Sequence, residues 1–176
     1  MMVLSPNAQP LGTLGDPELD RVVVRDAEGE IEAGRTSVRH YGPQGQTTPE
    51  DLVDTPTVRV FVDVSSPPPT MWIFGAVDFT AALSRLAKLL GYRVSVCDAR
   101  AVFATRARFP LADAVVNLWP DRYLDEVGPA LGPRDAVCVL THDAKFDVPA
   151  IVGACATRVG YIGAMGSRRT HAERIE

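Results

Sequence analysis

The residues with most to offer chemically lie in Gly160-Tyr161-Ile162-Gly163-Ala164-Met165-Gly166-Ser167-Arg168-Arg169-Thr170. The run reads as a short strand, a turn with two glycines, and a helix opening with two arginines. Glycine lets a backbone turn sharply and approach a ligand closely. A helix start presents N–H groups and the positive end of the helix dipole. Arginine adds forked donors that match phosphate geometry. Gly163, Met165, Gly166, Ser167, Arg168 and Arg169 are therefore a candidate cradle for an anionic group. The alternative is a tight turn whose arginines pair with acids elsewhere.

A second polar cluster is Leu140-Thr141-His142-Asp143-Ala144-Lys145-Phe146-Asp147. It follows an apolar run expected to be a strand and opens an expected helix. An imidazole beside carboxylates and an amine can move protons or hold a polar ring. Thr141, His142 and Asp143 are the candidate binding residues, and ordinary capping by Asp143 is the competing reading. One histidine with nearby acids is an incomplete ligand set, so no metal site is predicted.

A third loop, Gly75-Ala76-Val77-Asp78-Phe79-Thr80, sits where a Gly-x-Gly-x-x-Gly fingerprint would stand. Only its first glycine is present. Val77 replaces the glycine that admits a pyrophosphate, and Asp78 puts negative charge near the helix start, so NAD(P) is not expected. The simpler reading is a turn made by Gly75 and a helix capped by Asp78. Asp98 ends the second strand of this region, either to meet a ribose or to cap the loop toward Arg100. Arg100 reaches either an anionic ligand or a surface acid. No Ser-His-Asp, paired-carboxylate or phosphate-loop pattern is present, so no catalytic residue is assigned.

These loops need strands and helices to place them. From Thr70 the chain alternates: strands at Met71–Phe74, Val94–Cys97, Ala114–Val116, Ala136–Leu140 and Val159–Ile162. Helices are expected between them: one with Phe79, Leu83, Leu86 and Leu90 as its apolar face, another over Tyr123–Leu131, a third over Phe146–Ala156. The pattern predicts an α/β fold, a Rossmann-like parallel sheet with helices on both faces. Ligands bind such sheets beyond the carboxyl ends of their strands.

Residues 1–64 predict a small mixed α+β lobe with little core. It has short strands at Met1–Leu4 and Leu11–Leu14 around Ser5-Pro6-Asn7, and a helix begun by Asp16-Pro17 and stopped by Gly34. Further strands are expected at Ser37–Tyr41 and Val58–Val64. Gly42–Pro56 reads as a polar loop. Residues 65–69 carry three consecutive prolines, a stiff linker, and residues 70–176 form the second domain. The chain stops six residues after Thr170, inside an expected helix, and so reads as cut off.

The net charge of −4 leaves no electrostatic footprint for nucleic acid. No apolar run is long enough to span a membrane, and no signal peptide is visible. The three cysteines form no Cys-x-x-Cys pair and are expected to be buried, reduced thiols of a cytoplasmic protein.

One resemblance gathers these motifs. Phe74-Gly75-Ala76, Leu86 to Val94, Cys97-Asp98-Ala99-Arg100, Phe103-Ala104-Thr105, Arg108-Phe109-Pro110, Leu140 to Asp147 and Gly163 to Thr170 resemble the XdhC/CoxI family over nearly all of residues 58–176. The resemblance implies an accessory protein that binds a molybdopterin-type molybdenum cofactor and promotes its sulfuration with a cofactor sulfurase. It then delivers the cofactor to an apo molybdenum hydroxylase such as xanthine dehydrogenase or carbon monoxide dehydrogenase. A homodimer is expected. The chain departs from the family where its first lobe often carries cysteines: the matching places are Gly15-Asp16-Pro17 and Asp54-Thr55-Pro56. It departs again at Gly75-Ala76-Val77-Asp78, where Gly-Ala-Gly-His is common. Two rival readings are a nicotinamide- or nucleotide-dependent oxidoreductase and a non-catalytic interaction paralogue that has lost its ligand.

Overall fold

The computed structural model describes residues 1–6, 8–42, 45 and 57–175. Most of the expected Gly42–Pro56 loop, Asp54-Thr55-Pro56 and Asn7 lie outside them.

The chain divides into two compact units, Met1–Pro67 and Pro68–Glu176. In the first, β1 (Met2–Val3) pairs antiparallel with β2 (Leu11–Gly12). Helix α1 spans Pro17–Ala33 because both of its ends are specified locally. Asp16 accepts the N–H groups of Glu18 and Leu19, each at 2.9 Å, Pro17 occupies the first turn, and Gly34 ends the helix in the left-handed region at φ +63°. Strands β3 (Ser37–Tyr41) and β4 (Val58–Val62) form an antiparallel ladder. Leu19, Val22, Val23 and Tyr41 make the small core.

The second unit is a five-stranded sheet in the order β7-β6-β5-β8-β9. Its strands are β5 (Thr70–Phe74), β6 (Arg93–Cys97), β7 (Ala114–Val116), β8 (Ala136–Val139) and β9 (Tyr161–Ala164), all parallel. The chain winds outward from β5 through β6 to β7, then returns to β8 on the other side. The switch point therefore lies between the carboxyl ends of β5 and β8, where such folds place ligands. Side chains alternate across the sheet. Met71, Ile73, Val94, Val96 and Cys138 pack on one face with α2 (Asp78–Leu89). Phe74, Cys97, Val137 and Val139 pack on the other with α3 (Pro120–Val127) and α4 (Ala144–Cys155). A last helix, α5, spans Arg168–Ile175. Among the described residues no helix is long and apolar enough to cross a membrane.

Three expectations are corrected. The face of α2 turned to the sheet is Thr80, Ser84 and Ala87, not the leucine stripe. Phe79, Leu86 and Leu90 are exposed, while Leu83 is half-buried. Small residues let α2 approach the sheet closely, and its buried hydroxyls are satisfied within its own first turns. Thr80 donates to the Gly75 carbonyl, and Ser84 to Thr80 O at 2.7 Å. Second, β9 begins at Tyr161 rather than Val159, which moves Gly163 into the strand. Third, Cys97 and Cys138 are buried but Cys155, at the end of α4, is exposed.

Candidate functional site

Gly75 leaves β5 with φ +112°, a conformation reserved in practice for glycine. Its N–H donates to Cys97 O at 2.9 Å. A Cβ here would stand 2.7 Å from Thr141 Cγ2 and 2.9 Å from Thr141 N. Gly75 therefore serves the close approach of the β5 and β8 ends. Asp78 does not cap α2: it is the first residue of the helix, and its exposed carboxylate lies 3.5 Å from Arg108 Nη2. The cap position belongs to Val77, whose N–H reaches Thr80 Oγ1 at 3.3 Å. Arg108 also donates to Ala76 O at 2.9 Å and so spans the turn.

Asp98 is buried at the end of β6, and its carboxylate is saturated. Oδ2 accepts from Ala76 N–H and Arg100 Nη2, both at 2.7 Å. Oδ1 accepts from Arg100 N–H and Nε, both at 2.9 Å. Burial by itself would raise its pKa, but the Arg100 guanidinium and the two backbone N–H groups outweigh burial and hold it below the ordinary carboxylate value. Of the two sequence readings, the structure shows the loop cap toward Arg100. No lone pair is left over for a ribose diol. With Val77 at the turn, this predicts that NAD and NADP bind no better than millimolar; a micromolar dissociation constant by calorimetry would refute it.

Beyond β8, Thr141 is buried and its hydroxyl donates to the buried Asp147 carboxylate. Asp143 caps α4 by accepting Lys145 N–H at 3.2 Å, and lies 3.4 Å from Lys145 Nζ. His142 is exposed at the same edge.

The β9 loop is shorter than the sequence predicts. Gly163 pairs with Cys138 inside the ladder, where a Cβ would stand 2.7 Å from Tyr161 Oη, so its absence leaves room for the Tyr161 ring. Met165 donates its N–H to Val139 O at 2.8 Å and packs against the core shared with α2. Neither belongs to the turn. Gly166 and Ser167 make it, and Ser167 caps α5: its Oγ accepts Thr170 N–H at 3.2 Å and its carbonyl accepts His171 N–H at 2.9 Å. Arg168 and Arg169 follow on the exposed first turn.

The parallel register brings the loops after β5, β6, β8 and β9 to one sheet edge. Gly75, Arg100, His142 and Ser167 all stand on it, while Asp98 and Thr141 hold it together from below. Sequence reasoning missed Trp119, the residue preceding α3 on the same edge, half-exposed and 5.0 Å from the Phe146 ring between centroids. Its signal was Pro120, a proline suited to a helix start, which places Trp119 at the mouth of the loop after β7.

The two buried thiols are poor ligands in this state. Burial pushes the Cys97 thiol up to about 12, and it raises Cys138 as well. Among the described residues no group of three or more His, Cys, Asp or Glu could hold a metal ion.

Comparison with known proteins assigns the second unit. The XdhC Rossmann domain matches residues 71–176. A Bacillus subtilis (strain 168) protein described as a probable xanthine dehydrogenase component is 32% identical over 111 residues, covering 63% of this chain and 33% of that protein. A crystal structure of a xanthine dehydrogenase from Bacillus halodurans shares the fold, with a TM-score of 0.58 at 19% identity over 91% of this chain and 54% of its own. The chain thus spans a third of the curated relative and about half of the solved one. With the family's Rossmann domain covering well over half of its residues, the chain belongs to the XdhC family.

Proposed function

We propose that this protein binds a molybdopterin-type molybdenum cofactor at the carboxyl edge of its parallel sheet and delivers it to an apo molybdenum hydroxylase of the xanthine dehydrogenase kind. The observation that carries the reading is a gathering of cations in an acidic chain. Arg100, Lys145, Arg168 and Arg169 stand on three loops of one edge, although the net charge is −4. Asp98 neutralises Arg100, and Asp143 partners Lys145. What sets the α5 arginines apart is position: both are exposed on a first turn beside the Gly166–Ser167 backbone, where an anionic ligand can reach them. That donor set fits the phosphate end of the cofactor.

When bound, the cofactor supplies the molybdenum and dithiolene sulfurs that the recipient enzyme uses for redox chemistry. The chain's own residues bind and orient. Arg168, Arg169 and the Gly166–Ser167 turn hold the phosphate. His142 offers an exposed ring nitrogen for a polar edge of the ligand. Gly75 and Thr141 keep the floor rigid. The first lobe has no cysteine at Gly15-Asp16-Pro17 to add a thiol, and the Asp16 carboxylate there is spent on capping α1. Residues 1–64 act as an accessory lobe and residues 65–69 as a stiff spacer to the binding unit at 70–176. Exchange with a cofactor sulfurase, a homodimer and a cytoplasmic setting complete the proposal.

The test is Arg168→Ala with Arg169→Ala. Both side chains are on the exposed first turn of α5. Cofactor affinity is expected to fall about 10- to 100-fold, since charge-assisted hydrogen bonds contribute about 1.5–3 kcal/mol each. Affinity is read by equilibrium binding of the isolated cofactor, with an unchanged melting temperature as the control. A folded double variant that binds as tightly as the parent removes the proposal.

A further inference from the structure

The phosphate cradle accounts for the α5 arginines but leaves a second feature of the same edge without a use. Phe103, Arg100, Phe146 and Trp119, from the loops after β6, β8 and β7, stand in a continuous line. The Arg100 guanidinium carbon lies 4.7 Å from the Phe103 ring centroid and 5.7 Å from that of Phe146. The Phe146 and Trp119 centroids are 5.0 Å apart. Lys145 Nζ adds a cation 4.8 Å from the Phe146 ring.

The line is built rather than incidental. Phe146 is buried and anchors it, while Trp119 is 49% exposed and Phe103 38%. Arg100 cannot swing away, because its Nε and Nη2 form a fork on the buried Asp98 carboxylate. Phe103 and Phe146 flank a planar cation whose side chain remains 40% exposed, and the half-open indole continues the line beyond Phe146. Indole and guanidinium faces both stack on flat rings, and Nη1 lies outside the fork, available to a ring carbonyl.

We infer that the Phe103–Arg100–Phe146–Trp119 strip is a stacking platform for a planar, amide-edged heterobicycle. On the cofactor reading proposed above, that ring is the pterin, with its phosphate running toward α5. A purine base has the same flat, amide-edged chemistry, and the experiment separates the two.

The test uses the full chain carrying Trp72→Phe, which leaves Trp119 as the sole indole of the two in the sequence. It also removes a buried indole N–H that lacks a partner. Pterin-6-carboxylate, which has neither phosphate nor molybdenum, is titrated while Trp119 emission is followed. Guanosine and adenosine monophosphates are titrated in parallel. Saturable quenching by the pterin is expected. In calorimetry, Trp119→Leu should weaken pterin binding by about tenfold or more, the scale of one lost aromatic stack, whereas Trp119→Phe should bind close to the parent. Arg100→Lys, which keeps the charge and loses the plane, should also weaken it.

Tighter binding of a purine nucleotide than of pterin, with the same dependence on Trp119, overturns the pterin assignment and gives the platform to a nucleotide. Absence of saturable binding by every probe, or unchanged affinity in folded Trp119→Leu, overturns the platform itself. If the isolated cofactor still binds through Arg168 and Arg169, the platform fails alone. If pterin binds but the α5 double variant leaves cofactor affinity unchanged, the cradle fails and the platform stands.

Discussion

Gly75→Ala is expected to destabilise the second unit by about 3 kcal/mol. Two costs add. The native φ of +112° is one that an L-residue enters only at about 1–2 kcal/mol. The new methyl group would also stand 2.7 Å from Thr141 Cγ2, 2.9 Å from Thr141 N and 3.2 Å from Leu140 C. Two of those three atoms are backbone held in the sheet: Leu140 N–H donates to Phe74 O at 2.8 Å. They cannot rotate aside, so the crowding costs about 1–3 kcal/mol, as overpacking does elsewhere. Urea denaturation followed by circular dichroism measures the loss. Thr141→Ser, which deletes the Cγ2 contact alone, should restore only part of it in the double variant. A Gly75→Ala protein within about 0.5 kcal/mol of the parent, the range of an inconsequential surface change, would show that the turn relaxes freely.

Glu30→Ala is expected to destabilise the first unit by about 3 kcal/mol, the lower end of what breaking a buried ion pair costs. The Glu30 carboxylate is wholly buried beside a small core. It accepts Arg35 Nε at 2.7 Å and Nη2 at 3.1 Å, Arg39 Nε at 2.9 Å and Ser37 Oγ at 3.0 Å, with Arg39 Nη2 closing the cluster. It thereby ties the end of α1 to β3. The hydrogen bonds from Arg35 lead, burial opposes them, and those from Arg39 and Ser37 add to them, so its pKa falls from the ordinary 4.5 to about 2. A depressed folded-state pKa stabilises at high pH. The contribution is complete above the unfolded value near 4.5 and is lost as pH falls toward 2. Unfolding of the first unit between about pH 7 and pH 3 should therefore steepen below the unfolded value in the parent and less so in Glu30→Gln. Equal acid slopes in the two proteins would contradict the assignment.

Much of this molecule was legible before folding, and the reasons are local. Asp16, Pro17 and Gly34 specify both ends of α1 by their own backbone preferences and hydrogen bonds, whatever surrounds them. Ser37–Tyr41 and Ala114–Val116 read as strands and are strands. Apolar strands alternating with helices from Thr70 onward require a parallel sheet, and parallel strands put their following loops on one edge. That rule alone places Gly75, Arg100, His142 and the β9 turn together, and the motifs along it carry the family resemblance. What the tertiary structure decided concerns faces, registers and partners. The apolar stripe of α2 has the right spacing for a core, but the residues buried against the sheet are Thr80, Ser84 and Ala87; Leu83 is half-buried at the margin, and Phe79, Leu86 and Leu90 face outward. Gly163 looks like a turn glycine until its pairing with Cys138 shows it yielding space to Tyr161. Asp98 stands where a ribose would be met, yet Arg100 and Ala76 N–H already occupy both of its oxygens. Trp119 carries no motif at all. It joins Phe146 only because two distant loops end at neighbouring points of one sheet, a fact of topology that spacing along the chain does not encode.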